Sequence, residues 1–153
     1  MTLATLNLCG ELGRRLTIDV HGYEHDGPGD TYDSNWLRCS AQVDVGRFCG
    51  AVDASFTTQD FGSFLAQLEL VVTGKSVEAS FQTMEEALSI RVEIDRAGRA
   101  VVVGKLRETD FNGSTLSFVF DSDLSFLGRT HAELKRIVSE FPERAAAEAT
   151  PSS

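Results

Sequence analysis

The chain has 153 residues, 42% of them apolar, and a formal net charge of −9 from 23 acidic and 14 basic side chains. That length suits one domain with its own core, and no apolar run approaches the roughly 18 residues of a membrane-spanning helix. The acidic balance disfavours phosphate-mediated binding to nucleic acid and adhesion to anionic membranes, while it permits docking on a basic partner.

The N-terminal run Met1-Thr2-Leu3-Ala4-Thr5-Leu6 lacks a basic leader followed by an apolar stretch, so a cytoplasmic location is expected. A first strand is predicted over Leu3 to Leu8. Gly10 to Gly13 then turns the chain into a second strand, where Leu16, Ile18 and Val20 alternate with Thr17, Asp19 and His21. A polar loop, Glu24 to Asp33, follows with several turn-forming pairs. The third strand is predicted from Asn35 to Val45 and the fourth from Phe48 to Phe56, joined as a hairpin by Gly46-Arg47.

The period then changes. Asp60 stands three residues after Thr57, as in a capping box, and Phe61, Phe64, Leu65, Leu68 and Val71 recur at helical spacing before Gly74. A helix is predicted over 60–72. Four more strands are predicted: Val77 to Phe81, 87–95, 100–108 and 114–121. Asp95 to Arg99 and Asn112-Gly113 provide two of the turns. Thr130 and Glu133 have the spacing of a second capping box, and Leu134, Ile137, Val138 and Phe141 mark one face of a helix over 131–141. From Pro142 to Ser153 the composition loses its apolar period and reads as a disordered tail.

This order describes a mainly β, α+β domain over 1–141. About eight antiparallel strands form a sandwich or flattened barrel, with the two helices over one face or end. No internal repeat or low-complexity linker divides it.

Side chains with chemistry are few. The three cysteines, Cys9, Cys39 and Cys49, are odd in number and read as small buried residues. The three histidines form no zinc pattern with them, and Asp26-Gly27-Pro28-Gly29-Asp30 puts Gly and Pro where a calcium loop needs ligands. No nucleophile elbow and no phosphate-binding glycine loop is present. Neither a metal, a cofactor nor an enzyme activity is therefore expected.

One stretch is less plain. No Lys or Arg lies between Gly22 and Leu37, whereas Glu24, Asp26, Asp30 and Asp33 all do. In the third strand Leu37, Cys39, Ala41 and Val43 share one parity, which puts Trp36 on the other face with Arg38, Ser40, Gln42 and Asp44. Trp36 either packs beneath another element or joins a contact surface. In the second case Glu24, Asp26, Asp30, Asp33 and Trp36 form an acidic rim for a basic partner.

The same residues carry a family likeness. Asp33-Ser34-Asn35-Trp36-Leu37 resembles a motif of the WapI-type immunity proteins, a group of small bacterial proteins. The resemblance continues through Gly46-Arg47-Phe48, Asp60-Phe61 with Phe64 and Leu68, Gly104, and Leu116 to Asp121, over about residues 14 to 141. After Asp121 the chain departs from the pattern, because Asp123 to Arg129 intervene before the predicted helix. The resemblance implies a non-enzymatic protein that binds and neutralises a protein toxin, and the acidic balance of the chain suits a basic one. Two other readings stay open. Phe48, Phe56, Phe81, Phe118 and Phe120 are candidates to line an apolar cavity for a small molecule. Edge-to-edge pairing of two copies into a homodimer is one way to hide strand edges.

Overall fold

The computed structural model describes residues 3–25, 34–83, 85–110 and 112–144. The chain builds the same unit twice, four antiparallel strands followed by a helix. The first unit holds β1 (Ala4–Cys9), β2 (Arg15–Tyr23), β3 (Trp36–Val45), β4 (Phe48–Thr57) and α1 (Thr58–Val72). The second holds β5 (Glu78–Gln82), β6 (Leu88–Ile94), β7 (Arg99–Arg107), β8 (Thr115–Asp123) and α2 (Leu124–Glu140). The strands form two separate four-stranded sheets, ordered β1-β2-β3-β4 and β5-β6-β7-β8. The architecture is thus an open sandwich-like α+β fold rather than a closed barrel.

Alternation explains the layers. Leu16, Ile18 and Val20 of β2 and Leu37, Cys39, Ala41 and Val43 of β3 are all buried, as are Leu88, Ile90 and Val92 of β6. The period of two turns these side chains to one face, and both inner faces join Phe61, Phe64 and Leu68 of α1 and Leu127, Leu134 and Ile137 of α2 in one apolar core. The phenylalanines fill that core with edge-on contacts, including Phe56–Phe81 at 5.5 Å and Phe64–Phe81 at 5.5 Å between ring centroids. Of the five phenylalanines expected to line a cavity, Phe48 lies outside the core, at 68% exposure on the β3–β4 hairpin. Cys39 is buried as expected, but Cys9 is half-buried and Cys49 exposed, because Cys49 lies on the outward parity of β4.

Each helix begins on the last residue of the strand before it. The Thr57 hydroxyl accepts from the Asp60 N–H at 3.1 Å, and the Asp60 carboxylate accepts from the Thr57 N–H at 2.8 Å, a complete capping box. At α2 the Asp123 carboxylate accepts from the Phe126 N–H at 2.9 Å. The second helix therefore starts at Leu124, seven residues before the expected start at His131. Thr130, expected as a cap, is interior and fully buried. Its hydroxyl donates to the Asn7 carbonyl at 2.8 Å, and the Glu133 carboxylate accepts the Asn7 N–H at 2.9 Å. The two residues have capping-box spacing because both reach β1, so a tertiary contact imitates a local signal.

Candidate functional site

The polar connection between β2 and β3, residues 24–35, leaves and rejoins the sheet at neighbouring points. Tyr23 pairs with Leu37 across the ladder, and the Glu24 N–H donates to the Trp36 carbonyl at 2.9 Å, so the two ends of the connection are closed on each other. The Glu24 carboxylate is held in turn by the Ser55 hydroxyl of β4. Trp36 stands opposite Thr57, and the Asn35 carbonyl accepts the Thr58 N–H at 2.9 Å. The start of β3 is thereby fastened to the N-terminus of α1.

Trp36 is 8% exposed. Its outward parity does not make it a free surface residue. Glu24, by contrast, is exposed. Asp26, Asp30 and Asp33 lie outside the described residues, so the structure brings together Glu24 and Trp36 of the five rim residues.

The base missing from this stretch arrives from the other end of the chain. Arg144 donates from Nε and Nη2 to the Ser34 carbonyl at 3.0 and 2.7 Å, and from Nη2 to the His25 carbonyl at 2.9 Å. Its guanidinium lies 3.7 Å from the centroid of the Tyr23 ring, a cation–π contact. Its main chain is bonded twice to the buried Asn35 side chain: the Arg144 N–H donates to Oδ1 at 2.6 Å and Asn35 Nδ2 donates to the Arg144 carbonyl at 3.0 Å. One arginine thus grips both ends of the acidic connection. Planarity and forked donors suit guanidinium to this; an ammonium does not offer them.

Pro142 to Arg144, assigned to the tail on composition, are consequently seated. The Tyr23 hydroxyl donates to the Pro142 carbonyl at 2.6 Å, and Tyr23 meets Phe141 edge-on at 5.7 Å. Burial pushes the Tyr23 phenol above its ordinary range, against the pull of the Arg144 charge. Sequence reading missed Arg144 because a lone arginine before an Ala-rich run carries no periodic signal. The available clue was Asn35, a polar residue in the strand-opening motif with no evident local use.

Beside this brace a groove of about 580 Å³ opens between the sheets, lined by Glu24, Asp53, Ser55 and Glu85 together with His21 and Arg38. Three carboxylates face one guanidinium there, so the groove attracts cations. Among the described residues no group of three or more His, Cys, Asp or Glu side chains is arranged to hold a metal ion. The arrangement suits charge-based recognition at a surface.

The model of the Immunity protein WapI-like family matches residues 7–142, from β1 to the segment that precedes Arg144. No curated protein matches the chain. Among solved structures, the chain is similar to the crystal structures of Trypanosoma bruciei MRP1/MRP2, at 11% identity and a TM-score of 0.48, over 92% of this chain and 86% of that one. No helix among the described residues is long and apolar enough to cross a membrane.

Proposed function

The chain belongs to the WapI-like immunity protein family, and on that premise we propose that it is a non-enzymatic inhibitor that binds and neutralises a basic protein toxin in the cytoplasm. The observation that carries this reading is the acidic connection between β2 and β3, which holds Glu24, Asp26, Asp30 and Asp33 without a base of its own. Its two ends are held by Arg144.

Arg144 spends its donors on main-chain carbonyls and its charge on an aromatic face. A net charge of −9 adds long-range attraction for a cationic partner, which raises the association rate and rejects acidic competitors. Trp36 acts as the buried footing of the rim: its carbonyl receives the Glu24 N–H, and its strand anchors the connection. An inhibitor of this kind needs no reacting group, only a surface whose charges are fixed before the partner arrives.

The test is capture of partners from the native cell lysate on immobilised protein at low salt, eluted with a salt gradient. One stoichiometric basic protein, released between low and moderate salt and losing its toxicity when bound, is the expected result. A partner that is acidic, or retained without regard to salt, would overturn the reading.

A further inference from the structure

The four outer strands of the two sheets are not treated alike. The edge of β1 is occupied: the Asn7 N–H donates to Glu133, the Asn7 carbonyl accepts from Thr130 at 2.8 Å, and the Cys9 carbonyl accepts from Ser122 at 2.6 Å. The edge of β5 is occupied as well, by Gln67 of α1, whose Oε1 accepts the Ser80 N–H at 3.0 Å. Each helix therefore closes the first strand of the other unit. β8 is partly covered near its end, where Gly10 packs on the Asp121 carbonyl and the Phe120 ring.

β4 is different. Among the described residues, the main chain of Phe48 to Phe56 makes no hydrogen bond described here other than those with β3. The β3–β4 ladder runs through ten consecutive pairs without a bulge. Phe48 to Thr57 contains no Pro, Lys or Arg, the usual devices that keep an edge from pairing. Cys49, Ala51 and Asp53 are exposed, and all are small enough to admit another backbone at strand spacing. Asp53 and Ser55 of this strand line the acidic groove together with Glu24 and Glu85.

We propose that β4 accepts an extended segment of a cationic partner as a fifth strand of the first sheet. Main-chain hydrogen bonds to β4 supply the affinity, and Lys or Arg side chains of the added strand are read by Asp53, Glu85 and Glu24. This rests on the inhibitor reading only in taking the partner to be the toxin; the edge and its groove stand apart from it. A second copy is a poorer occupant, because joining β4 to β4 brings two sets of the same carboxylates together.

The experiment uses the full chain, isotope-labelled, and an octapeptide of alternating Lys and Val with blocked ends, with a Glu-Val octapeptide as control. Amide exchange along Phe48 to Phe56 is followed by NMR. The Lys-Val peptide should slow exchange at alternate β4 amides by about tenfold or more at saturation, and the effect should fade as salt rises. The Glu-Val peptide should not produce it, and Ala51→Lys or Asp53→Lys, both at exposed positions, should abolish it. Unprotected β4 amides at saturation would overturn the proposal, as would equal protection by the Glu-Val peptide. Protection that grows with protein concentration alone would assign the edge to a second copy and overturn it too. If the captured toxin binds while β4 amides stay unprotected, this inference fails and the inhibitor reading survives. If the peptide protects β4 but no toxin is neutralised, the reverse holds.

Discussion

The carboxamide of Asn35 and the main chain of Arg144 form a two-point pair across 109 positions of sequence, 2.6 Å on one side and 3.0 Å on the other. A neutral amide offers one acceptor and one donor in a single plane, which is what an exposed peptide unit needs. The pair holds Arg144 so that its side chain reaches Ser34 and His25.

Asn35→Ala should therefore cost about 1–3 kcal/mol, since it leaves the partly buried Arg144 N–H and carbonyl without these partners. Arg144→Ala should cost less but increase mobility at His25 and Ser34. A double-mutant cycle in urea checks this: the two losses should be strongly non-additive, because the second change removes what the first has already released. Additive losses would mean the two residues act independently.

Thr57→Ala should lower stability by about 1 kcal/mol through loss of the capping box on α1. Thr130→Val should behave differently, although the sequence gives it the same spacing from an acid. Helix content should persist, while amide exchange along β1 quickens, because that hydroxyl donates to the Asn7 carbonyl of β1. Circular dichroism paired with hydrogen exchange separates the two effects.

The strands were legible because each buries a single face. Leu16-Ile18-Val20 and Leu88-Ile90-Val92 state their period without help from the rest of the chain. The hairpin at Gly46 and the turn at Gly98 were legible for a backbone reason, as both glycines hold positive φ, +76° and +85°. The start of α2 was not. Asp123 is both the last residue of a strand and a cap, and the stronger local pattern at Thr130 belongs to a contact with β1. The site was half legible. The acidic stretch stands out in composition, whereas Arg144 owes its role to a peptide pair formed only in the folded chain.

The three cysteines should separate by reactivity. Cys49 is exposed and should react first with a thiol reagent; Cys39, whose thiol burial pushes up to about 12 from 9.0, should react only on unfolding. The linkage follows in sign. With its folded value above its unfolded one, Cys39 contributes stability that is present in full below pH 9.0 and is lost as pH rises towards about 12. Cys39→Ala should flatten the alkaline slope of stability relative to wild type, measured in urea at several pH values. An unchanged slope would place the titrating group elsewhere.

Gly104→Ala should destabilise by about 1–3 kcal/mol, the range for overpacking a filled core. A Cβ at this position would collide with Cζ of the Phe118 ring and stand 2.8 Å from the Ser89 carbonyl, and the latter is main chain that cannot step aside. Adding Phe118→Leu should recover part of the loss in thermal melts. Failure to recover any would put the clash on the Ser89 side alone.

The central claim is that the acidic connection between β2 and β3 receives a basic partner, and titration calorimetry of Asp30→Lys/Asp33→Lys against the captured protein tests it most directly. The account predicts a loss of affinity on the order of tenfold or more at low salt, narrowing as salt screens the wild-type interaction. The urea stability of the variant should stay close to that of the wild type. Equal affinity of variant and wild type across the salt range would contradict it.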